Sequence, residues 1–289
     1  MNKLYIGDVI KRLELLQSDS VDVGVTSPPY NKQENKKGWL VKNVKYDRAC
    51  DKQDESLYQK NQIEVLNELF RIIKPGGSFF YNHKTRWEKG EMRHPLEWIM
   101  RTKWVIRQEI IWDRIIAANI RGWRFWQNDE RIYWLYKPIG NNKIGEELLS
   151  KHALVGSIWR FPPEKKNSHP APFPLILPLR AIFSVLDINK GVVIDPYCGS
   201  GTTLVAAKLL GHDYIGIDIS KEYIKKSRER LNNYKKEIHI LNEEIKKHVV
   251  KKTFSQRKIE GLCVGKFRKT KKTSFMPDIN SLFNFESLN

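Results

Sequence analysis

Two short stretches of this 289-residue chain hold residue types that could do chemistry, and they lie far apart. The first is Ser27-Pro28-Pro29-Tyr30, which follows the alternating apolar segment 21–25 and so falls where a strand should end. Two prolines stiffen the backbone there, letting the Ser27 hydroxyl and the Pro28 carbonyl face one point as hydrogen-bond acceptors. Tyr30 adds a flat ring beside that point. The set suits a planar heterocycle with an exocyclic amine, although a proline turn with a packed tyrosine would have the same composition. The second stretch is Asp195-Pro196-Tyr197-Cys198-Gly199-Ser200-Gly201-Thr202-Thr203, between a buried strand at 191–194 and a helix at 204–210. Gly199 and Gly201 remove side chains where a ligand could approach the backbone and the helix start. Asp218 ends the next strand, 214–217, and is placed to accept from ribose hydroxyls. The glycine turn has no Walker lysine and does not fit GxGxxG, so a nucleoside without a phosphate chain fits better than a nucleotide.

The elements that must position these residues alternate in type. Strands are expected at 4–6, 21–25, 78–83, 105–112, 131–136, 191–194 and 214–217, with helical stripes near 9–16, 63–73, 95–101, 179–186 and 204–210. That order predicts an α/β fold with a doubly wound Rossmann-like sheet. Segment 31–59 is polar, shows no sustained period and reads as a mobile loop. Residues 117–128 read as a loop rich in Arg and Trp, and six prolines between 162 and 178 mark an irregular connector. From 221 to about 252 the pattern predicts one long charged helix, with apolar residues too sparse for deep burial.

Composition narrows the classes. Lys and Arg total 51 against 33 Asp and Glu, a formal charge of +18, which attracts polyanions. No run approaches the roughly 18 apolar residues of a membrane span, and the N-terminus meets Asp8 too soon for a signal peptide, which predicts a cytoplasmic protein. Cys50, Cys198 and Cys263 stand far apart, so neither a disulfide framework nor a metal site is expected.

Together the two motifs resemble those of the S-adenosylmethionine-dependent DNA amino-methyltransferases, in the permuted group whose catalytic tetrapeptide precedes the cofactor loop. The resemblance spans roughly residues 4–230. Ser27–Tyr30 matches the family's D/N/S-P-P-Y/F/W tetrapeptide, which makes Ser27, Pro28, Pro29 and Tyr30 the catalytic residues it implies. Asp195–Thr203 matches the loop D-P-F-C-G-S-G-T-T, with Tyr197 in place of the usual Phe. His169, Pro170 and Phe173 belong to a segment like the one that touches the cofactor's methionine part. Asp218 matches the acid on the ribose, and Asp8, after Gly7, the turn near the adenine. Lys74-Pro75-Gly76-Gly77 and Ile111-Trp112-Asp113-Arg114 fit the family's scaffold.

The resemblance implies methyl transfer from S-adenosylmethionine, without a metal, to an exocyclic amine of a base flipped out of duplex DNA. In the family a leading Ser goes more often with N4 of cytosine and a leading Asp with N6 of adenine, so Ser27 points to cytosine. Adenine is the alternative target; RNA methylation or a silent nucleic-acid-binding protein are the readings beyond it. Methylation at a cytosine ring carbon needs a cysteine after a proline, and Cys50, Cys198 and Cys263 follow Ala49, Tyr197 and Leu262. Cys198 is expected to be core packing at the turn.

Base reading is expected from Asn119, Arg121, Arg124, Gln127 and Asn128, set among Trp123, Phe125 and Trp126, with 83–93 and 141–152 as neighbours. The same composition would arise if the aromatics were core and the arginines a solvated face. Lys251, Lys252, Arg257 and Lys258 open a basic tail suited to phosphates. The organisation that follows is a catalytic half at 1–113 and a target-recognition region at 114–160 that includes scaffold strand 131–136. A cofactor-binding half at 161–230 and a basic helical tail at 231–289 complete it. Restriction–modification, with a partner endonuclease, follows from the resemblance; the chain is expected to be a monomer or homodimer.

Overall fold

A computed structural model describes residues 2–31, 53–117, 122–141, 155–164, 173–186, 190–249 and 254–261. Ten strands and eight α-helices are assigned among them. Eight strands form one sheet: β1 (Lys3–Ile6), β2 (Val21–Thr26), β3 (Ile73–His83), β6 (Val105–Asp113), β7 (Asp129–Tyr136), β8 (Ile158–Arg160), β9 (Val192–Asp195) and β10 (Asp213–Asp218). Their order across the sheet is β1-β10-β9-β2-β3-β7-β6-β8. The first five run parallel, and β7 alone is reversed, pairing antiparallel with both β3 and β6. The doubly wound expectation holds, with this one reversed strand as an addition. β4 (Arg86–Glu88) and β5 (Glu91–Arg93) make a separate hairpin. Its Lys89-Gly90 turn has φ of 50° and 89°, the left-handed pair that a tight two-residue hairpin needs.

Side-chain alternation along the strands divides the core between the two sheet faces. Val23, Val25, Phe80 and Val193 face one side, under α4 (Ile176–Val185), α5 (Thr202–Leu209) and α7 (Ile238–His248). Phe79, Tyr81, Ile194 and Ile215 face the other, with Leu13 of α1 (Val9–Glu14), Trp98 of α3 (Leu96–Ile99) and the buried stripe of α2 (Glu55–Ile72). At the centre β2 lies against β9, with Val23 opposite Val193 and Gly24 opposite Ile194. Gly24 is required by packing: a Cβ there would sit 2.3 Å from Phe79 Cδ2. Chain order turns outward on either side of this β2–β9 pair, which makes it the switch point where open α/β sheets bind ligands.

Two sequence expectations need correction. The loop expected over 31–59 is shorter, because α2 begins at Glu55, capped by the Asp54 side chain on Ser56 N and Leu57 N. Asn31 is buried and holds the near end, its Oδ1 accepting from Gln53 N at 2.6 Å. Mobility at 32–52 falls outside the described residues. The single charged helix of 221–252 is instead α6 (Lys221–Asn232), a 3-10 turn (Tyr234–Glu237) and α7. Nor is its apolar face shallow, since Ile224, Leu231, Leu241 and Ile245 are all buried. Few apolar residues suffice because Glu244 of α7 forms a buried ion pair with Arg180 of α4, at 2.6 Å. The Arg180 guanidinium also lies 5.1 Å from the Phe161 ring centroid.

Glu244→Ala would leave Arg180 buried without its carboxylate. The expected cost is about 3 kcal/mol of unfolding free energy, read by urea denaturation. A loss below about 0.5 kcal/mol would show that α7 is held by its apolar face alone.

Candidate active site

Both sequence motifs stand at the C-terminal ends of the adjacent strands β2 and β9. A buried carboxylate joins them. Asp195 Oδ1 accepts from the Thr26 hydroxyl at 2.6 Å and from Tyr197 N at 3.0 Å, while Oδ2 accepts from the Thr203 hydroxyl at 2.7 Å. Thr26 is the residue before Ser27, and Thr203 lies in the first turn of α5, so one side chain sets the Ser27–Tyr30 loop against the glycine turn. Burial pushes the Asp195 carboxyl up to about 6, opposed by these three donors. Of the expected cofactor set, Asp195, Cys198 and Thr203 thus point their side chains into protein. Phe173 is core as well, packed with the α4 and α5 residues. Cys198 is buried, and burial raises its thiol well above the usual range, as befits packing rather than a nucleophile.

The two glycines of the turn are buried, and Gly199 is bonded within the protein on both sides, its N–H to Asp218 and its carbonyl accepting from Ser227 Oγ at 2.7 Å. Gly199 and Gly201 take φ of 48° and 82°, and a Cβ on Gly201 would lie 3.0 Å from Ser227 Oγ. The Asp218 carboxylate, half-buried at the end of β10, accepts from Gly199 N at 2.9 Å and Ser220 N at 2.8 Å. Asp8 caps α1 beside it, exposed, its neighbour Gly7 donating to the Asp218 carbonyl at 3.0 Å. Pro196 and Ser200 are buried in the turn, and the Thr202 hydroxyl accepts from Arg230 at 2.8 Å. The exposed Asp8 and half-buried Asp218 carboxylates at this rim fit a cationic nucleoside with a free diol.

Next to this rim, the tetrapeptide is held by residues that sequence reasoning missed. The Tyr58 hydroxyl of α2 donates to the Pro29 carbonyl at 2.9 Å and contacts His83 Nε2 at 2.7 Å. Ser27 Oγ lies 2.6 Å from the Tyr30 hydroxyl, which donates to Glu130 Oε2 at 2.8 Å. Asn82 Nδ2 reaches the same Tyr30 oxygen at 2.8 Å, and Glu130 Oε1 pairs with Arg114 at 3.0 Å. Tyr30 is therefore only 7% exposed, with its ring 4.6 Å from that of His83, rather than a free stacking plate. Asn82 and His83 end the expected strand 78–83, where the switch-point rule could have found them. Glu130, the second of two adjacent acids just before the expected strand 131–136, gave no such signal.

The recognition stretch differs most from expectation. Gln127 is buried and spends its amide on Thr85, donating to the hydroxyl at 2.6 Å. It anchors the loop and does not present itself to bases. The Arg124 guanidinium stacks 4.0 Å from the Trp87 ring centroid of the hairpin. Asn128 is exposed, and its carbonyl accepts from Arg114 N at 2.7 Å. The aromatics are the surface: Phe125 is 97% exposed, Trp126 66% and Trp123 59%. Asn119, Arg121, His169, Pro170, Lys251 and Lys252 lie outside the described residues, as does the Arg257 side chain. Lys258 is exposed on the short helix α8 (Phe254–Ile259). No helix among the described residues is long and apolar enough to cross a membrane, and no cluster there could hold a metal.

The Asp195 bridge has a pH signature. Its folded pKa lies above the unfolded value, so its contribution to stability is present at low pH and lost as pH rises through about 6. Thr26→Val removes a donor to the ionised form and raises that pKa further. The loss of unfolding free energy should be about 2 kcal/mol at pH 8 and under half of that at pH 5, by urea denaturation. Equal losses at both pH values would show that Asp195 is not the partner that matters.

Comparison with known proteins agrees with this geometry. A family model described as DNA methylase, of the N6/N4 type, matches residues 21–229. The type II methyltransferase M.BglII of Bacillus subtilis is 27% identical over 78% of this chain and 67% of its own length. The DNA adenine methyltransferase YhdJ of Escherichia coli is also 27% identical, over 78% of this chain and 81% of its own. Among solved structures, TTHA0409 of Thermus thermophilus, complexed with S-adenosyl-L-methionine, superposes with a TM-score of 0.59. It is 26% identical and covers 81% of this chain and 94% of its own. The cytosine-N4-specific PvuII DNA methyltransferase shares the fold, with a TM-score of 0.62 at 18% identity over 83% of this chain and 93% of its own. With a matching family model over most of its length and both motifs joined at one switch point, the chain belongs to the N6/N4 DNA methylase family.

Proposed function

We propose that this protein methylates the N4 amine of cytosine in duplex DNA, using S-adenosylmethionine and a flipped base. The observation that carries amine methylation is the Ser27–Tyr30 loop set against the Gly199–Gly201 turn across the β2–β9 pair. The choice of cytosine rests on a hydroxyl, not a carboxylate, at position 27. The adenine reading keeps one specific support, a relative that carries adenine in its name.

In this reading Asp218 accepts from the ribose hydroxyls, Asp8 lies toward the adenine, and the backbone of Gly199 and Gly201 lets the cofactor approach closely. When bound, S-adenosylmethionine supplies a sulfonium methyl. The conjugated amine is a poor nucleophile, so the task of the chain's own residues is orientation. Ser27 Oγ and the Pro28 carbonyl accept its two N–H bonds, which favours a pyramidal nitrogen whose lone pair faces the methyl donor. Tyr58, by fixing the Pro29 carbonyl, keeps the loop from relaxing. Phe125, Trp126 and Trp123 form an exposed aromatic tip on a loop pinned by Gln127, suited to stacking on bases that have left their duplex partners. The +18 charge draws the protein to the phosphates.

Incubation with S-adenosylmethionine and unmethylated DNA, digestion to nucleosides and mass spectrometry should yield N4-methylcytosine; N6-methyladenine would overturn the base assignment and leave amine methylation standing. Ser27→Ala should lose about a hundredfold in turnover with cofactor affinity unchanged by calorimetry. Phe125→Ala and Trp126→Ala should each weaken DNA binding by about tenfold in fluorescence anisotropy while leaving the melting temperature in place. Unaltered affinity in both would remove the loop from the DNA interface.

A further inference from the structure

Serine is too weak a base to take a proton from the amine, so both its orientation and the fate of that proton need an explanation. The hydrogen bonds around Ser27 supply one when their protons are counted. Glu130, paired through Oε1 with Arg114 at 3.0 Å, can only accept at Oε2. Tyr30 has one hydroxyl proton, and Glu130 Oε2 at 2.8 Å takes it. The Tyr30 oxygen is then an acceptor, served by the Ser27 hydroxyl at 2.6 Å and by Asn82 Nδ2 at 2.8 Å, whose longer 3.3 Å contact to Ser27 Oγ also treats that oxygen as an acceptor. Glu130 orients Asn82 as well, since the 3.0 Å contact to Oε2 requires the amide nitrogen there. Ser27 has thereby spent its only proton on Tyr30. Its oxygen can meet the substrate only as an acceptor.

We propose that Glu130 is a positioning residue that locks Ser27 as an acceptor and, through Tyr30, receives the amine's surplus proton. This rests on the amine-methylation reading above. As the new C–N bond forms and the C–S bond breaks, the nitrogen becomes positively charged. One of its N–H bonds then breaks, and the electron pair stays on nitrogen. The proton adds to Ser27 Oγ while the serine's own proton passes to the Tyr30 oxygen and the tyrosine's to Glu130 Oε2. The amine ends neutral, Ser27 and Tyr30 end as they began, and Glu130 ends as a carboxylic acid that later yields its proton to solvent. No further reactant is required. Around Glu130 the charged neighbours are Arg114 beyond β6 and, along its own strand, Asp129 and Arg131, which pair with each other at 2.6 Å. Asn82 Oδ1 is buried without a partner among the described residues, so one more acceptor is left beside the same site.

The test compares wild type with Glu130→Gln, Glu130→Asp, Tyr30→Phe, Ser27→Ala and the double variant Glu130→Gln/Tyr30→Phe. Single-turnover rates are followed from pH 5.5 to 9, with cofactor affinity by calorimetry and base flipping by 2-aminopurine fluorescence. Glu130→Gln and Tyr30→Phe should each slow turnover by about a hundredfold. KM, cofactor affinity and flipping should stay within about threefold, Glu130→Asp should recover part of the rate, and the double variant should be no slower than either single one. A Glu130→Gln rate within about threefold of wild type, or losses that multiply in the double variant, would overturn the proposal. If that happens while Ser27→Ala is inactive, the relay fails and the methylation reading stands; a fully active Ser27→Ala would sink the reading itself. Should Glu130→Gln fail to fold, Tyr30→Phe keeps the packed ring, and a wild-type rate from it is equally decisive.

Discussion

Asp195 is a charged group in a place that penalises charge, and the rest of the site is arranged around its three donors. Thr26 belongs to the strand that leads into the Ser27–Tyr30 loop, Tyr197 N to the glycine turn, and Thr203 to the helix behind it. Each donor offsets part of the desolvation cost, and together they hold three backbone segments within a hydrogen bond of one carboxylate. A shift of the Ser27–Tyr30 loop relative to the turn would leave an oxygen of Asp195 buried and unpaired. The distance between the two halves of the site is set in this way, not by side chains that meet a ligand.

A second brace comes from α2, which runs across the far face of the sheet. Its Tyr58 fixes the Pro29 carbonyl, and its Gln62 accepts from the Tyr81 hydroxyl at 2.9 Å and is hydrogen-bonded by Tyr197. At its start Glu55 holds Arg86 of the hairpin through two bonds of 2.8 Å, and Arg86 in turn lies over the Tyr58 ring. The hairpin carries Trp87, on which Arg124 of the aromatic loop stacks. Pocket, hairpin and exposed aromatic tip therefore share one mechanical support. The loop is anchored by Gln127 on Thr85 and by Arg124 and Trp123 against Trp87, which leaves Phe125 and Trp126 exposed.

Much of the architecture was legible because it is periodic. Alternation within β2, β3, β6, β7, β9 and β10 and the apolar stripes of α2, α4 and α5 report burial directly, residue by residue. The misreadings share a cause, which is that polar residues can be core when they are paired. Glu244 made the α7 face look too charged to bury, although Arg180 of α4 pairs with it, and Asn31, Gln53 and Glu55 made an ordered loop base look like open loop. Conversely, Trp123, Phe125 and Trp126 have core composition and surface position, since nothing in their spacing says which side of the sheet edge they occupy.

Taken alone, the sequence determined the alternation of strands and helices, the two motifs and the side-chain types that each supplies. Those are local properties: a turn with two glycines or two prolines restricts its own backbone wherever it stands. Tertiary structure decided which groups act together. Ser27 meets Glu130 across 103 positions of sequence only because Asn82 on β3 and Glu130 on reversed β7 stand side by side, and because Tyr30 spans the gap. Proton positions in such a network follow from which acceptors surround each hydroxyl in space, and no spacing along a single chain encodes that.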